Sequence, residues 1–552
     1  MNQSVQKKRG ADILIDALKL AGVGKIFSLS GNHIMSLYDA ALDSSIQLIH
    51  VRHEGATVHM AESWARLTGE VGIAMVTGGP GHANAIGALC TALASETPVI
   101  LLSGHAPLSE LGLGAFQEFP QTAIAEPVCK ASWTALSAAG LGNDLARAFR
   151  LARSGRPGPV HISLPSDLLE QVLAEGDLHA LPAAVDYLSV PMHLPSATAS
   201  MVVAEVHKAK RPLLITSPAL CTTPGRAMVM HLQAALGAPV VGMESPRGIN
   251  DPSLGAFAEV LAQADLVVLL GKPLDFTLRF GNAPVVAASC NWIVIDPDAA
   301  LIVRAARGRG ERLVLSAIAD ASNAVLALTA AAKNEAKPSH QMAWLAEVQA
   351  AISYRPAQWQ GAMSNADAPM HAVDLCRVLQ PVLDQHADAV FVSDGGEIGQ
   401  WAQACLRAPH RVINGVCGAI GPALPFALAA QAAYPGSPVI AVIGDGTFGF
   451  HMAEFDTAVR ENLPLIAVVG NDARWNAEYQ IQVRTYGEAR AHGCTLSPAT
   501  RYDLVAVALG GHGEFVTCID ELPAAIDRAI ASGKPACINV LIDGSPAPVI
   551  RR

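Results

Sequence analysis

Apolar residues in this chain fall into short unbroken runs, each followed by a stretch in which they return at helical spacing. Runs such as VGIAMV, PVIAVIG and LIAVVG show no polar alternation, as expected of strands buried on both faces. Strand runs alternating with amphipathic helices predict parallel sheets covered by helices. The first block reads as helix 11–21, strand 25–30, helix 33–43, strand 47–51, helix 54–67, strand 72–77, helix 82–95 and strand 98–103. A further strand, PVHISLP, closes it near residue 165.

A Pro-rich segment without clear period, 177–196, reads as a linker. A second block follows with RPLLITS, APVVGM, ADLVVLLG and WIVIDP, and ends near Ala331. Polar, helical residues 333–368 suggest a second linker. The third block carries AVFVSDGG, PVIAVIGDG, PLIAVVGND and ACINVLID, with a helix expected over 449–461. The expected fold is therefore α/β, with three doubly wound parallel-sheet domains at 1–176, 197–332 and 369–552.

Composition narrows the function classes. The 552 residues are 51% hydrophobic and 16% charged, enough apolar material for three cores. A net charge of −10 argues against nucleic acid as a partner. Residues 412–444 lack any charge, but Pro422, Pro425, Pro435 and Pro438 break the stretch into loop, helix and strand, so no membrane span is expected. Ten scattered cysteines without a CxxC pair suit reduced thiols in a cytoplasmic protein. The start, MNQSVQKKRG, has no apolar signal core.

The strongest chemical signal is Gly444-Asp445-Gly446, where a buried strand turns toward a helix. In open α/β sheets ligands bind at such strand ends, and glycines there let backbone N–H groups approach phosphate oxygens. After 24 residues Asn471-Asp472 ends the next strand. Two successive strand ends can thus offer Asp445 and the Asn471/Asp472 pair to one Mg²⁺ on a diphosphate. Taken alone, the first motif reads equally well as a turn.

This pair of motifs resembles the GDG–x–NN signature of thiamine-diphosphate enzymes. The resemblance implies that Asp445, Asp472 and the backbone carbonyl of Arg474 hold Mg²⁺. The family usually has Asn where this chain has Asp472, so either Asp472 adds a second carboxylate or Asn471 shares the role. Gly444, Gly446 and Thr447 would complete the diphosphate turn. In HVRHEGATVHMAESWAR, Glu54 opens a helix at the position of the activating Glu of acetolactate synthase and its relatives. There a carboxylic acid engages N1′ of the pyrimidine. Read locally, Glu54 is also a solvated first-turn residue favoured by the helix dipole.

Other segments carry the same resemblance. Thr77-Gly78-Gly79-Pro80-Gly81 is similar to the family's TxGPG turn, with Gly79 and Asn84 at the cofactor. Gly395, Gly396, Glu397 and Ile398 would bring N–H groups to the diphosphate, with the Glu397 side chain turned away. Gly418 would accept from the 4′-amino group, and Ile420 would bend the cofactor. His33 resembles the His of the benzaldehyde lyase loop, and Gln117 the FQE segment beside the reacting carbon; both also read as structural hydrogen-bonding residues.

The implied activity is a thiamine-diphosphate- and Mg²⁺-dependent lyase or carboligase. It would act on a 2-oxo acid or acyloin through addition of a C2 carbanion and an enamine intermediate. An acetolactate-synthase-like reaction stands beside benzaldehyde-lyase-like and 2-hydroxyacyl-CoA lyase or oxalyl-CoA decarboxylase-like ones. The short tail after Asp543 speaks against a CoA lid, and the missing GxRxDxRxTG segment against FAD. A non-catalytic regulatory relative is the reading from a different class. The resemblance further implies a homodimer or homotetramer with the cofactor at the dimer interface and a small carbonyl substrate.

Overall fold

The computed structural model describes residues 7–333, 335–365 and 368–552. The expectation about the first residues of the chain therefore falls mostly outside them. The chain divides into two compact units, one running to Val190 and the other starting at Pro191.

The first unit is built on six strands: β1 (Lys25–Ser28), β2 (Gln47–His50), β3 (Gly72–Val76), β4 (Val99–His105), β5 (Ala131–Thr134) and β6 (Val160–Pro165). They lie in the order β2-β1-β3-β4-β6-β5, and every neighbouring pair is parallel. Helices α1 (Glu54–Thr68) and α2 (Pro80–Ala94) follow β2 and β3. His53 caps α1 by accepting from Gly55 N–H through Nδ1, and Gly69 ends it in the left-handed conformation.

The second unit holds two sheets. One has five strands: β7 (Pro212–Thr216), β8 (Val240–Gly242), β9 (Leu266–Leu270), β10 (Asn291–Ile295) and β11 (Leu313–Ala317), in the order β8-β7-β9-β10-β11. Alternate residues feed opposite cores: Leu214, Val268 and Ile293 on one face, Leu213, Val267 and Trp292 on the other. That explains the unbroken apolar runs. The other sheet has six strands: β12 (Val390–Ser393), β13 (His410–Ile413), β14 (Val439–Gly444), β15 (Ile466–Asn471), β16 (His512–Val516) and β17 (Ala536–Leu541). Its order, β13-β12-β14-β15-β17-β16, repeats that of the first unit. The fold is therefore α/β with three parallel sheets, as the apolar pattern indicates. No helix among the described residues is long and apolar enough to cross a membrane.

Two expectations need correction. The helix expected over 449–461 spans only Glu454–Arg460; a single turn, Asp445–Phe448, precedes it. Successive tight turns, Phe450 N–H to Thr447 O and Glu454 N–H to His451 O, fill the gap. Residues 339–353 are not a free linker: Trp344 and Val348 pack into the five-stranded sheet's core, and Trp344 Nε1 donates to Pro212 O at 2.8 Å. Four edge strands, β5, β11, β13 and β16, had no sequence signal that was read.

One ionic cluster ties the two sheets of this unit together. Glu244, just past β8 and 3% exposed, accepts from Arg226 at 3.0 Å and from Arg411, on β13, at 2.7 Å. The loops after these two strands carry Pro246–Arg247 and Asn414–Ile420, which line the same cavity. Removing one partner from such a cluster leaves buried charge uncompensated. Glu244→Ala should lower the stability of this unit by about 3–5 kcal/mol, read as a fall in its chemical-denaturation midpoint.

Candidate active site

In the six-stranded sheet of the second unit, strand order reverses between β12 and β14. Loops diverge at such a point and leave a crevice. A cavity of about 320 Å³ lies there. It is lined by Gly395, Gly396, Glu397 and Ile398 after β12, by Gly418 and Ile420 after β13, by Gly444, Asp445, Gly446 and Thr447 after β14, and by Asp472 and Arg474 after β15. Twelve positions proposed from sequence thus converge on one space. Asn471 does not line it: its amide donates to Asn539 Oδ1 at 3.2 Å, and its Oδ1 accepts from Ala473 N–H at 3.1 Å.

Register explains the placement of the acids. Gly444 lies opposite Gly470 on neighbouring parallel strands, so Asp445 leaves the sheet level with Asn471, one residue before Asp472, and both acids reach the same cavity. Asp445 Oδ1 accepts from Gly446 N–H at 2.9 Å, while its buried Oδ2 has no hydrogen-bond partner. Burial pushes the Asp445 carboxyl up to about 6. Burial and the charge of Asp445 push Asp472 up to about 7. An orphaned carboxylate oxygen beside a second carboxylate is what a divalent cation would satisfy. Among the described residues no group of three His, Cys, Asp or Glu could hold a metal alone. Two carboxylates, a backbone carbonyl and phosphate oxygens form a hard oxygen set that suits Mg²⁺. These residues fit a Mg²⁺-diphosphate group.

Backbone shape is fitted to the same task. A Cβ on Gly446 would come within 2.7 Å of the Trp475 ring. Ala473 adopts φ +56 between Asp472 and Arg474, and Asp472 Oδ1 accepts from Arg474 N–H at 3.1 Å. Glu397 lines the cavity and accepts from Ala547 N–H in the C-terminal segment.

Several contributors carried no assigned role in the sequence reading. Asp394 is fully buried and accepts from Gly395 N–H at 2.7 Å and Gly421 N–H at 2.9 Å. It thereby clamps the Gly418–Ile420 loop to the turn after β12. Burial pushes its carboxyl up to about 7. Asn476 donates to Gly544 O at 2.9 Å, and Pro246 and Arg247 reach the cavity from the five-stranded sheet. Asp394 was visible only as a strand-end acid; the other three have no local motif.

The corresponding reversal in the first unit falls between β1 and β3. His33, after β1, meets Thr77, after β3, with Nδ1 and Oγ1 3.2 Å apart. Burial holds the His33 imidazole below its usual range, so it is neutral near pH 7. Gly79 N–H donates to Gln121 Oε1 at 2.8 Å, and Gln121 Nε2 donates to Gly104 O and Ser163 Oγ. Gln121 thus fixes this turn, a role the sequence reading missed. Gln117 adopts φ +56, with its carbonyl 2.7 Å from where a Cβ of Gly79 would stand, so only glycine fits there. The carboxylate of Glu118 gathers the N–H groups of Gly112, Gly114 and Ala115 and shapes the loop that presents Gln117.

Glu54 opens α1 and is half-buried. Its Oε2 accepts from Asn84 Nδ2 on α2 at 3.0 Å. A Cβ on Gly81 would lie 3.3 Å from Oε1, so the TxGPG-like turn packs directly on this acid. Glu62, eight residues on, is fully buried and takes a 2.6 Å bond from Thr91.

Comparison with known proteins accords with this geometry. Residues 8–124 match the thiamine pyrophosphate enzyme N-terminal TPP binding domain, and residues 394–540 match the C-terminal TPP binding domain. The chain is 30% identical over 550 residues to the acetolactate synthase large subunit IlvG of Mycobacterium tuberculosis, covering 98% of this chain and 97% of that one. It is 29% identical over 585 residues to 2-hydroxyacyl-CoA lyase 2 of Danio rerio, covering 97% and 92%. With the acetolactate synthase isozyme 2 large subunit of Escherichia coli it shares 28% over 563 residues, covering 97% and 95%. This chain belongs to the thiamine pyrophosphate enzyme family.

Proposed function

We propose that the protein is a thiamine-diphosphate- and Mg²⁺-dependent enzyme that forms or breaks a carbon–carbon bond beside a carbonyl, acting on a 2-oxo acid in the manner of an acetolactate synthase. The observation that carries this reading is the pairing of Asp445, with its orphaned oxygen, and Asp472 in a glycine-lined cavity. Asp445, Asp472 and the Arg474 carbonyl would hold Mg²⁺; Asn471, whose amide is engaged elsewhere, would not. N–H groups around Gly395–Ile398 and Gly444–Thr447 would bind the diphosphate. When bound, thiamine diphosphate supplies a nucleophilic carbon able to add to carbonyls.

Glu54 would hold and release a proton at pyrimidine N1′, with Asn84 fixing its orientation. His33 and Gln117 would orient the substrate carbonyl, His33 as a neutral imidazole. Arg247 would meet a carboxylate on the donor, which favours a 2-oxo acid. The likeness to proteins named 2-hydroxyacyl-CoA lyase 2, over 97% of the chain, supports cleavage of a 2-hydroxyacyl-CoA as the second reading. We place the protein in the cytosol, where its ten free cysteines would stay reduced.

We further propose domains at 1–176, 197–332 and 369–552 and a homodimer or homotetramer. In that assembly Glu54 of one chain and Asp445 of another would serve one cofactor.

Calorimetric titration with thiamine diphosphate and Mg²⁺ tests the cofactor site. Asp445→Ala should weaken binding by at least about 100-fold, the upper range for perturbing a metal shell. Asp472→Asn should keep it within about tenfold. Unchanged affinity in Asp445→Ala would remove the metal from this place. A screen of the holoenzyme separates the reactions: pyruvate should be consumed, and turnover of a 2-hydroxyacyl-CoA alone would favour the second reading. Mixing inactive Glu54→Gln and Asp445→Ala chains should restore about a quarter of wild-type activity at random exchange, since half the dimers then hold one intact site. No recovery after verified exchange would overturn the shared site.

A further inference from the structure

Asp472 raises a question that Asp445 alone does not. An asparagine at that position would offer a cation the same side-chain oxygen without the charge. Asp472 is held in place: its Oδ1 accepts from Arg474 N–H at 3.1 Å, and a Cβ on Gly544 would stand 3.4 Å from its Oδ2. Asp445, 3% exposed, keeps a buried Oδ2 without a hydrogen-bond partner at the same cavity. Four acids line that wall, Glu397, Asp445, Asp472 and Glu478, against two arginines, Arg247 and Arg474. Glu397 is engaged by Ala547 N–H, and the Arg474 guanidinium lies over the Tyr479 ring at 4.4 Å. With the acids ionised, as cation binding requires, negative charges exceed positive ones by two, four against two.

A divalent cation therefore meets, in the protein alone, a charge equal and opposite to its own. A diphosphate arriving first would meet net negative charge. We propose that Asp472 completes the cation site within the chain, so that the protein holds Mg²⁺ before, and without, thiamine diphosphate. The proposal rests on the reading of Asp445 and Asp472 as Mg²⁺ ligands. Linkage then fixes what Asp472 does to assembly. With asparagine in its place, the cation would depend on the diphosphate for negative charge, and each would strongly favour binding of the other. With Asp472 the cation is already held, and repulsion between this carboxylate and the diphosphate offsets part of the gain in the loaded site. Asp472 thus sets the order of assembly more than the final affinity.

The test uses the full-length protein, stripped of metal and cofactor by a chelator and dialysed. Mn²⁺ is titrated in, and the free ion is followed by its paramagnetic resonance signal. Wild type should take up one Mn²⁺ per chain without cofactor. Asp472→Asn should weaken this uptake about 100-fold, yet come within about tenfold of wild type once thiamine diphosphate is saturating. Adding the cofactor should therefore raise Mn²⁺ affinity far more in Asp472→Asn than in wild type. Glu478→Gln removes an equal charge from an exposed part of the same wall and should change Mn²⁺ affinity by less than about fivefold. Wild type that takes up no Mn²⁺ until thiamine diphosphate is added would overturn the proposal. So would Asp472→Asn that binds the free ion as tightly as wild type, or a loss of the same size in Glu478→Gln. Undiminished Mn²⁺ binding by Asp445→Ala would overturn more, because it removes the metal from this place and with it the reading beneath the proposal.

Discussion

Two carboxylates leaving adjacent parallel strands into one cavity is the constraint around which the second unit is arranged. Burial raises the Asp445 carboxyl, and burial together with the Asp445 charge raises that of Asp472. The Gly444–Gly470 register keeps both acids at the same end of the sheet, Asp445 level with Asn471 and one residue before Asp472. A divalent cation reverses the sign of the interaction, and in the proposed site the diphosphate then shares its charge. The surrounding devices hold that geometry. Asp394 fastens the Gly418–Ile420 loop through Gly421, and Glu244 fastens β13 to the end of β8.

The same strand order is used twice, with different chemistry at the reversal. In the second unit the crevice is acidic and glycine-lined. In the first, the corresponding strand ends present a neutral imidazole, a threonine and a glutamine amide, with Glu54 set aside at the start of α1. One crevice gathers buried acids and the other neutral hydrogen-bonding groups, so the shared strand order does not by itself set the chemistry at the reversal.

How much was legible in the sequence follows from burial. Interior strands such as β3, β9, β14 and β15 are covered on both faces, so their apolar runs stand out. The four strands that went unread all lie at sheet edges, where one side is solvated; β11 alternates half-buried and exposed residues. The strand-end glycines and acids were legible because chemistry restricts what can stand there. Gln121 was not, since a buried glutamine that bridges Gly79, Gly104 and Ser163 depends on residues 17 to 42 positions away. Asn471 and Asp472 show the limit within one motif: adjacency in sequence left both as candidate ligands, and only the bond from Asn471 to Asn539 separates them.

The five-stranded sheet, the part with the fewest motifs, then acquires a role. Its strand end delivers Pro246 against Gly418, where a Cβ would stand 3.5 Å away, and Arg247 to the cavity wall. Asp472 adds a negative charge that an Asn would not. The Arg474 guanidinium, held over the Tyr479 ring at 4.4 Å, offsets part of it. Arg247 is a cation that the middle of the chain adds to the cavity wall, where its charge acts on Glu397. Of the two arginines lining a cavity that holds Glu397, Asp445, Asp472 and Glu478, one therefore comes from the sheet whose sequence carried no motif for it.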